Sequence, residues 1–510
     1  MKIVTDFLEE NAKKYADKKA FIDEKNEITF SQLREKSKKI GTVLAKIGCF
    51  QTPVCIFMDK NVDCVVSMLG VIYSGNFYTV LDVNMPEARM HKILSVLNPA
   101  AVVTTNAYNE KIVAVLRESG VAVRKENIFN IEDCALFEIN QPALDESRGK
   151  IDETATMFVL FTSGSTGIPK GVIIKHKAFP AYLAWYRDTL KYDDTTIIAN
   201  QAPFYFIMSC PDIYLTIMCG ATCYIPPKKV FSFPMVTLNY LKEHKVNTIY
   251  WVPSVYCQIA NLKALPEIHI DGLRMVAFGG EVMPTKQLNM WRREYPDTEF
   301  VNLYGPTETT ELISYYFVDR DYSDTESLPI GVPVSYIKVM LLDENDNEVP
   351  YGEIGELCAV GICIADGYYN MPDKTAEVFV ANPTYNDGDD PETKIMYRTG
   401  DLARWDETGN LIYMGRKDFQ IKHMGNRIEL GEIETAASSV IGVERNCCLY
   451  DSARSKIVLF YQGTCSEDEV DSGLKALLPE YMIPNRVEKL TVMPYNVNGK
   501  IDRVELKKMI

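Results

Sequence analysis

The chain has few residues of the kinds that build metal or redox centres. Its 510 residues include only five histidines, far apart in the sequence, and the 13 cysteines contain no CxxC pair. Structural zinc sites need such ligands at close spacing, so we expect none here. The odd number of scattered cysteines and an N-terminus without a signal peptide predict reduced thiols and a cytoplasmic protein.

Long apolar runs and an excess of positive charge are also missing. The most apolar helical segment, residues 62–73, contains Asp63 and is too short to cross a bilayer. The 54 lysines and arginines are outnumbered by 69 acidic residues, which gives a net charge of −15. This balance disfavours nucleic acid and anionic membranes as partners. The composition, 47% hydrophobic and 24% charged, is that of a soluble globular protein.

The order of apolar patterns indicates an α/β fold with more than one unit. Strand-like runs alternate with helical periodicity in residues 1–104 and again in 240–305, as in sheets covered by helices. From about residue 330, short strands separated by Asn, Asp and Gly turns predict a small β subdomain. We predict a large N-terminal domain of packed α/β sheets over residues 1–417, which includes this subdomain, and a small mobile α+β domain over residues 418–510.

The clearest local motif is a loop rich in glycine, serine and threonine. FTSGSTGIPKG, residues 161–171, follows an apolar strand-like run. Its backbone N–H groups, hydroxyls and single lysine suit a polyphosphate, although a surface turn is the alternative. Pro169 and Gly171 depart from the Walker A pattern, and Ser163 departs from the nucleophile elbow. The residues predicted to bind phosphate are Thr162, Ser163, Gly164, Ser165, Thr166, Gly167 and Lys170.

This loop resembles the phosphate loop of the adenylate-forming (ANL) superfamily, which includes peptide-synthetase adenylation domains, acyl-CoA synthetases and luciferases. Four further motifs follow in the superfamily's order: YGPTE at 304–308, YRTGD at 397–401, GRKDFQIK at 415–422 and NGKIDR at 498–503. The resemblance implies that ATP and Mg²⁺ convert a small carboxylic acid into an acyl-adenylate, which is then transferred to a thiol.

The resemblance also implies a role for each motif. Lys500 would bridge the acid's carboxylate and the α-phosphate, Glu308 would hold Mg²⁺, and Thr307 would meet a phosphate oxygen. Rotation of the C-terminal domain about Asp418 would withdraw Lys500 and bring Gly425 toward the thiol. The residues expected around the nucleotide are Gly279, Gly280, Asn302, Tyr304, Asp401 and Arg416.

The acid pocket of the superfamily, placed on this sequence through the motifs, is mostly apolar and aromatic. Amino-acid-activating members have Asp where this chain has Ile207, and an α-ammonium buried beside isoleucine would have no countercharge. We therefore expect an aryl acid, or an ω- or β-amino acid held by Glu311. Asp212 could instead turn inward, and Glu311 could point outward. The predicted pocket comprises Phe206 as its gate, Ile207, Met208, Pro211, Tyr250, Val276, Phe278, Leu303, Glu311, Leu312 and Lys500.

The C-terminal motifs indicate which kind of molecule receives the acyl group. ELGEIE at 429–434 and NGKIDR are typical of peptide-synthetase adenylation domains and of D-alanine–carrier-protein ligases. The chain ends at Ile510, soon after the lysine motif, so we expect a separate phosphopantetheinylated carrier protein that is loaded in trans. The alternatives are an acyl- or aryl-CoA synthetase, a D-alanine or amino-acid–carrier ligase, and a non-catalytic nucleotide-sensing scaffold on the same fold.

Overall fold

Two large sheets joined by a shared helical layer form the body of the protein. The structure is a computed structural model that describes residues 1–164, 167–418, 420–495 and 501–510. The predicted site residues Ser165, Thr166 and Lys500 lie outside these ranges.

The first sheet has the strand order β6-β5-β3-β4-β7-β8, parallel except for the β7–β8 pair. Helix α2 begins with a capping box. The Thr29 side chain accepts from the backbone N–H of Gln32, and the Gln32 side chain accepts from the backbone N–H of Thr29. The elements of this part are α1 (Val4–Lys14), β1 (Lys19–Ile22), β2 (Glu27–Thr29), α2 (Phe30–Ala45), β3 (Pro53–Phe57), α3 (Val62–Tyr73), β4 (Phe77–Leu81), α4 (Glu87–Leu97), β5 (Ala101–Thr104), α5 (Asn109–Glu118), β6 (Ile128–Asn130), α6 (Ile131–Cys134), α7 (Gln141–Lys150), β7 (Thr156–Thr162) and β8 (Lys170–Lys175).

The second sheet has the order β15-β14-β13-β12-β11-β9-β10-β1-β2, so the early hairpin β1–β2 completes a sheet built mainly later in the chain. Its parallel strands β9 to β13 end near one edge, where binding sites of α/β sheets form. The elements are α8 (Ala178–Thr189), β9 (Ile197–Ala199), α9 (Cys210–Cys219), β10 (Thr222–Tyr224), α10 (Pro234–Glu243), β11 (Thr248–Trp251), α11 (Pro253–Asn261), β12 (Met275–Gly279), α12 (Thr285–Glu294), β13 (Glu299–Tyr304), β14 (Ser314–Phe317) and β15 (Val332–Pro333).

A smaller antiparallel sheet follows, in the order β16-β17-β19-β18 with β20 paired to β19. Its long strand β19 carries the YRTGD motif. This part is rich in strands, as the turn pattern after residue 330 predicts. Its elements are β16 (Ile337–Leu342), β17 (Gly355–Gly361), α13 (Pro372–Val378), β18 (Phe379–Ala381), β19 (Ile395–Trp405) and β20 (Leu411–Arg416).

We call residues 420–510 the C-terminal segment. It contains a two-stranded hairpin and the sheet β23-β24-β25, which packs against α14 and α15 around its own buried core. Among the described residues, no strand pairing crosses residue 418, and the boundary predicted there stays a prediction. The elements are β21 (Gln420–His423), β22 (Asn426–Glu429), α14 (Leu430–Ser438), β23 (Val443–Asp451), β24 (Lys456–Gly463), α15 (Glu467–Leu477), β25 (Arg486–Lys489) and α16 (Arg503–Lys507).

The largest hydrophobic core lies between the two large sheets and includes helices α2, α3, α8 and α9. Within the described ranges, no helix combines the length and the hydropathy that a membrane crossing needs.

The close crossing of α2 and α3 depends on small residues. A Cβ atom on Gly70 would lie 2.6 Å from the Cβ of Ile40, closer than real side chains approach.

Gly70→Ala should therefore destabilise the protein by about 1–3 kcal/mol through overpacking of the α2–α3 crossing. Gly149→Ala is the matched control, because Gly149 lies in helix α7 with nothing within 4 Å of its added Cβ. That control should be neutral or raise stability by about 0.5–1 kcal/mol through helix propensity. Thermal unfolding followed by circular dichroism measures both, and equal midpoints for the two variants would contradict the prediction.

Candidate active site

The phosphate-binding loop joins the antiparallel strands β7 and β8, and its two ends are held together by the pairing of Thr162 with Lys170. The loop's donors face the C-terminal segment. Ser163 Oγ donates to the carbonyl of Arg427 at 2.7 Å, and the backbone N–H of Gly164 donates to Glu432 at 3.2 Å. Oxygen atoms of the C-terminal segment thus accept hydrogen bonds from loop groups that were predicted to bind phosphate. Gly167, a further loop residue that was predicted to bind phosphate, adopts φ +74° and accepts from Lys92 through its carbonyl.

Glu308 lies at the centre of a buried charge cluster. Its two carboxylate oxygens accept from the Arg427 guanidinium at 2.5 Å and from the Tyr368 hydroxyl at 2.8 Å. Burial disfavours its charge, yet Arg427 and Lys170 outweigh this effect and hold the pKa of the carboxyl below its usual value. Lys170 also approaches Glu429 at 3.4 Å, so residues from three distant motifs share one network.

The predicted ribose-binding aspartate lies in a second buried network. Tyr304 donates a hydrogen bond to Asp401, and Arg416 donates to its other oxygen at 2.6 Å. Arg416 also pairs in a bidentate manner with Asp418, at 2.7 and 2.8 Å. The predicted hinge residue is therefore linked directly to the predicted nucleotide site. Lys422 of the C-terminal segment lies 5.0 Å from the centre of the Tyr304 ring.

The tip of the β21–β22 hairpin inserts at the carboxyl ends of β11 and β12. Gly425, with φ +76°, packs so closely on Val252 that an added Cβ would lie 2.2 Å from its Cγ1 atom. The carboxylate of Glu281 accepts from the backbone N–H groups of Met424 and Gly425. Only glycine combines this backbone conformation with such a close approach. The predicted thiol-tunnel residue is therefore at the mouth of the site.

A salt bridge between α4 and α14 joins the C-terminal segment to the body of the protein. Arg89 donates to Glu432, and each residue is only 3% exposed. The same Glu432 carboxylate accepts from the loop, as described above. An isolated buried charge is costly, so the docking of the C-terminal segment on the body of the protein depends on both partners being present.

The predicted acid pocket is bounded by the ends of β11 and β13 and by helices α8 and α9. Glu311 accepts a hydrogen bond from Tyr182 of α8, and Tyr250 is a further neighbour of its carboxyl. The sulfur of Met208 lies 3.8 Å from a Cβ built on Gly280, near the hairpin tip. The predicted pocket residues that share the core containing Tyr182 are Ile207, Met208, Tyr250, Leu303 and Leu312.

Two predicted pocket residues are not brought to this face of the sheet. Val276 and Phe278 pack in the second core with Trp251 and Trp291, whereas Ala277 between them belongs to the core of Tyr250. The physical reason is that side chains alternate between the two faces of the sheet along β12. The predicted pocket residues were placed by their distance from the motifs, without regard to this alternation.

The remaining predicted residues lie on several different elements. Phe206 contacts the ring of Tyr481 from the C-terminal segment at 6.0 Å between centroids, consistent with a position at the gate. Asn302 donates to the carbonyl of Pro329 at 2.8 Å. The other residues and their elements are Pro211 in α9, Gly279 at the end of β12, Gly280 just after it, and Thr307 in a short 3₁₀ turn.

Several residues of this site were missed by the sequence analysis. Glu432 lies inside the ELGEIE motif and Arg427 lies two residues before it, but neither received a role. Arg89 gave no local signal, because its partner is 343 positions away in the chain. Tyr182 and Tyr186 form an i,i+4 aromatic pair on α8, which could have pointed to one helix face.

This fold and site define an enzyme of the adenylate-forming class. Residues 8–369 match the family model described as AMP-binding enzyme. The chain belongs to the family of AMP-binding enzymes. This match and the similar proteins confirm the predicted superfamily, the α/β fold class, and the enzyme class, an AMP-forming ligase.

Curated relatives span the same region. Zwittermicin A synthase ZmaJ of Bacillus cereus is 30% identical over 97% of this chain and 93% of that protein. A mycosubtilin synthase protein of Bacillus subtilis is 30% identical over 98% of this chain, which spans 19% of that relative. The chain likewise spans 8% of tyrocidine synthase 3 of Brevibacillus parabrevis, at 30% identity.

Solved structures share the fold over the whole chain. PA1221, described as a peptide-synthetase (NRPS) protein with adenylation and PCP domains, has a TM-score of 0.82 at 21% identity and covers 100% of this chain and 84% of its own. The amide bond synthetase McbA of Marinactinospora thermotolerans has a TM-score of 0.83 at 17% identity, with 99% of both chains covered.

The Arg89–Glu432 bridge yields a test of the docked arrangement. Glu432→Gln leaves Arg89 without a buried countercharge and should weaken docking by about 3–5 kcal/mol. Hydrogen exchange of residues 421–429 should then speed up, as the hairpin loses protection. The double replacement Arg89→Met with Glu432→Met should restore much of that protection, because no buried charge remains.

Glu505→Gln is the matched control for this experiment. Glu505 pairs with Lys508 at 2.6 Å on the exposed surface of the same segment, where ion pairs contribute little. Unchanged hairpin exchange in Glu432→Gln, or equal acceleration in Glu505→Gln, would contradict the assigned role of the buried bridge.

Proposed function

We propose that this protein activates a carboxylic acid with ATP and transfers the acyl group to a thiol. In the first step a carboxylate oxygen attacks the α-phosphorus. A new O–P bond forms, the bond to the bridging oxygen breaks, and pyrophosphate leaves with both electrons of that bond. The observation that carries the proposal is the convergence of the cations Lys170, Arg427 and Arg416 with the carboxylates of Glu308 and Asp401. Such an arrangement stabilises charge that develops on phosphate groups.

The position of the C-terminal hairpin supports a second step at the same site. A thiol attacks the acyl carbonyl carbon, a C–S bond forms, the C–O bond to AMP breaks, and the thiol proton passes to water. Gly425 lies at the pocket mouth with no side chain, which suits the passage of a narrow thiol arm. Its docking against Val252 excludes a bulkier residue there.

The chemistry of Glu308 fits Mg²⁺, the hard cation that adenylation uses to neutralise the triphosphate. The carboxyl is buried and its pKa is lowered, so it is an anionic oxygen donor. In the arrangement described here Arg427 binds one of its oxygens. We infer that Glu308 would hold Mg²⁺ when Arg427 withdraws. Among the described residues no cluster of three or more His, Cys, Asp or Glu forms a metal cage, in keeping with a cation shared with substrate phosphates.

The acid and the acceptor are narrower parts of the proposal. Ile207 at the position of the superfamily's α-ammonium-binding Asp supports an acid without an ordinary α-amino group. The acceptor we propose is the phosphopantetheine thiol of a carrier protein. Two structural neighbours described as adenylation–PCP proteins support this class of acceptor. Its delivery in trans and the cytoplasmic location stay predictions from sequence, and coenzyme A is the competing acceptor.

The test is pyrophosphate exchange across aryl, fatty, ω-amino, β-amino and α-amino acids. We expect exchange with a narrow group of acids, followed by discharge of the adenylate onto a phosphopantetheinylated carrier. Discharge onto free coenzyme A instead would identify a CoA synthetase. Exchange with D-alanine as the preferred acid would overturn the argument from Ile207. No exchange with any acid would favour a nucleotide-sensing scaffold.

Two variants should separate the half-reactions. Lys500→Ala should lower adenylation by at least about a hundredfold, because a cation at the reacting oxygens is lost, while transfer from added acyl-adenylate continues. Gly425→Ala should lower transfer to the thiol while adenylation continues. Its Cβ meets Val252 and its left-handed backbone disfavours alanine, so transfer should fall about tenfold for each ~1.4 kcal/mol of misfit.

Gly409→Ala controls for the backbone effect alone. Gly409 has φ +84° but nothing lies within 4 Å of its added Cβ. Its rates in both half-reactions should match those of the unaltered protein. Parallel loss of adenylation and transfer in Gly425→Ala would show that the hairpin does not act specifically in the second step.

A further inference from the structure

The inner end of the acid pocket contains a carboxyl group that is only partly satisfied. Glu311 is 3% exposed, and its Oε2 atom accepts from Tyr182 and, at 3.2 Å, from Tyr186. Tyr250 provides a third hydroxyl near the carboxyl. Its other oxygen, Oε1, has no hydrogen-bond partner within the described ranges. Native proteins rarely leave such a buried acceptor unpaired, which points to a missing donor.

The backbone holds this carboxyl in place at a cost. Thr310 and Glu311 are consecutive non-glycine residues with φ values of +52° and +81°. The Glu311 N–H donates to the Pro306 carbonyl at 3.1 Å, and Thr310 Oγ1 donates to the Cys363 carbonyl at 2.7 Å. Left-handed backbone is strained at non-glycine residues and is concentrated at functional sites.

Further polar atoms near Glu311 are also unpaired. Asp212 Oδ1 and the hydroxyls of Tyr192 and Tyr336 are buried without partners in the described part of the chain. Each of the three groups interacts electrostatically with Glu311. Carboxylate and hydroxyl oxygens together suit a ligand with several N–H donors.

Two buried carboxyls of this region have no ion-pair partner among the described residues. Burial disfavours their charged forms and raises the pKa of Glu311 to about 8 and that of Asp212 to about 7, so a cation bound beside them would favour the carboxylate form. The nearby ammonium of Lys60 donates to the carbonyls of Asn200 and Gln201, both at 3.0 Å. No lysine or arginine of the described residues forms an ion pair with Glu311.

The carboxyl group is a short distance from the place of acid activation. A Cβ on Gly279, at the end of β12, would lie 2.9 Å from the Tyr250 hydroxyl, and Tyr250 is also a neighbour of Glu311. The Tyr250 hydroxyl therefore lies between the end of the strand and the inner carboxyl. A substrate that reaches from one to the other is short.

We propose that Glu311 determines specificity by binding the terminal ammonium of a short ω-amino acid, whose carboxylate lies at the ATP end of the pocket. The ammonium N–H groups bond to Oε1 of Glu311 and to the hydroxyls of Tyr182 and Tyr186 around it. This inference rests on the proposed acid activation and names its substrate class. An acid with no terminal donor group leaves Oε1 of Glu311 unpaired and is disfavoured.

The experiment is pyrophosphate exchange with isosteric pairs of acids, in which an ammonium replaces a methyl group. The pairs are β-alanine with butyrate, γ-aminobutyrate with valerate, and δ-aminovalerate with hexanoate. We expect at least one amino acid to exceed its methyl partner by about a hundredfold in kcat/KM, the size of one charge-assisted hydrogen-bonded pair. Exchange with the methyl acids alone overturns this inference but leaves acid activation standing. Exchange with none of a wider acid panel overturns the proposed function itself.

Glu311→Gln tests the residue directly. It should remove the preference for the amino acid and leave or improve kcat/KM for the methyl partner. Equal losses for both members of a pair would assign Glu311 a purely structural role and overturn the proposal. Tyr186→Phe, which removes one hydroxyl and keeps the ring, should lower the same preference by a smaller factor. If Glu311→Gln does not fold, the isosteric pairs on the unaltered protein decide alone.

Discussion

The buried ion pair between Arg427 and Glu308 is the interaction on which the rest of the site depends. Two charges without water are stable only when each has its partner. Arg427 therefore fixes the β21–β22 hairpin at the pocket mouth, and the hairpin in turn positions Gly425 on Val252. The Arg89–Glu432 bridge fixes the following helix in the same way. The position of the C-terminal segment thus follows from charge pairing.

The same pairing explains how one site serves two proposed reactions. In the proposed reaction, phosphate groups and Mg²⁺ would bind the donor of Gly164 and the oxygens of Glu308. In the docked arrangement Glu432 and Arg427 of the C-terminal segment bind these groups instead. Because segment and ligand compete for the same atoms, nucleotide binding and hairpin docking are expected to alternate. The direct contact of Asp418 with Arg416 links the predicted hinge to the nucleotide site.

The acid pocket shows where prediction from sequence succeeds and where it fails. Glu311 and Tyr250 meet, as expected from motif spacing, because each lies a few residues from a strand end. Val276 and Phe278 face the second core, because strand register decides the face and motif spacing alone does not fix it. Tyr182 and Tyr186 surround Glu311 from a helix more than a hundred residues earlier, which no local pattern predicts.

The family, the α/β class and the motif residues that are expected to contact ATP could be predicted from the amino-acid sequence, because these depend on short segments with fixed local geometry. The partners of those residues became known from the folded structure. Arg89 meets Glu432, Arg427 meets Glu308, and one oxygen of Glu311 has no hydrogen-bond partner among the described residues. Such contacts join distant segments, and their energies depend on burial and countercharge. Neither quantity exists until the chain has folded.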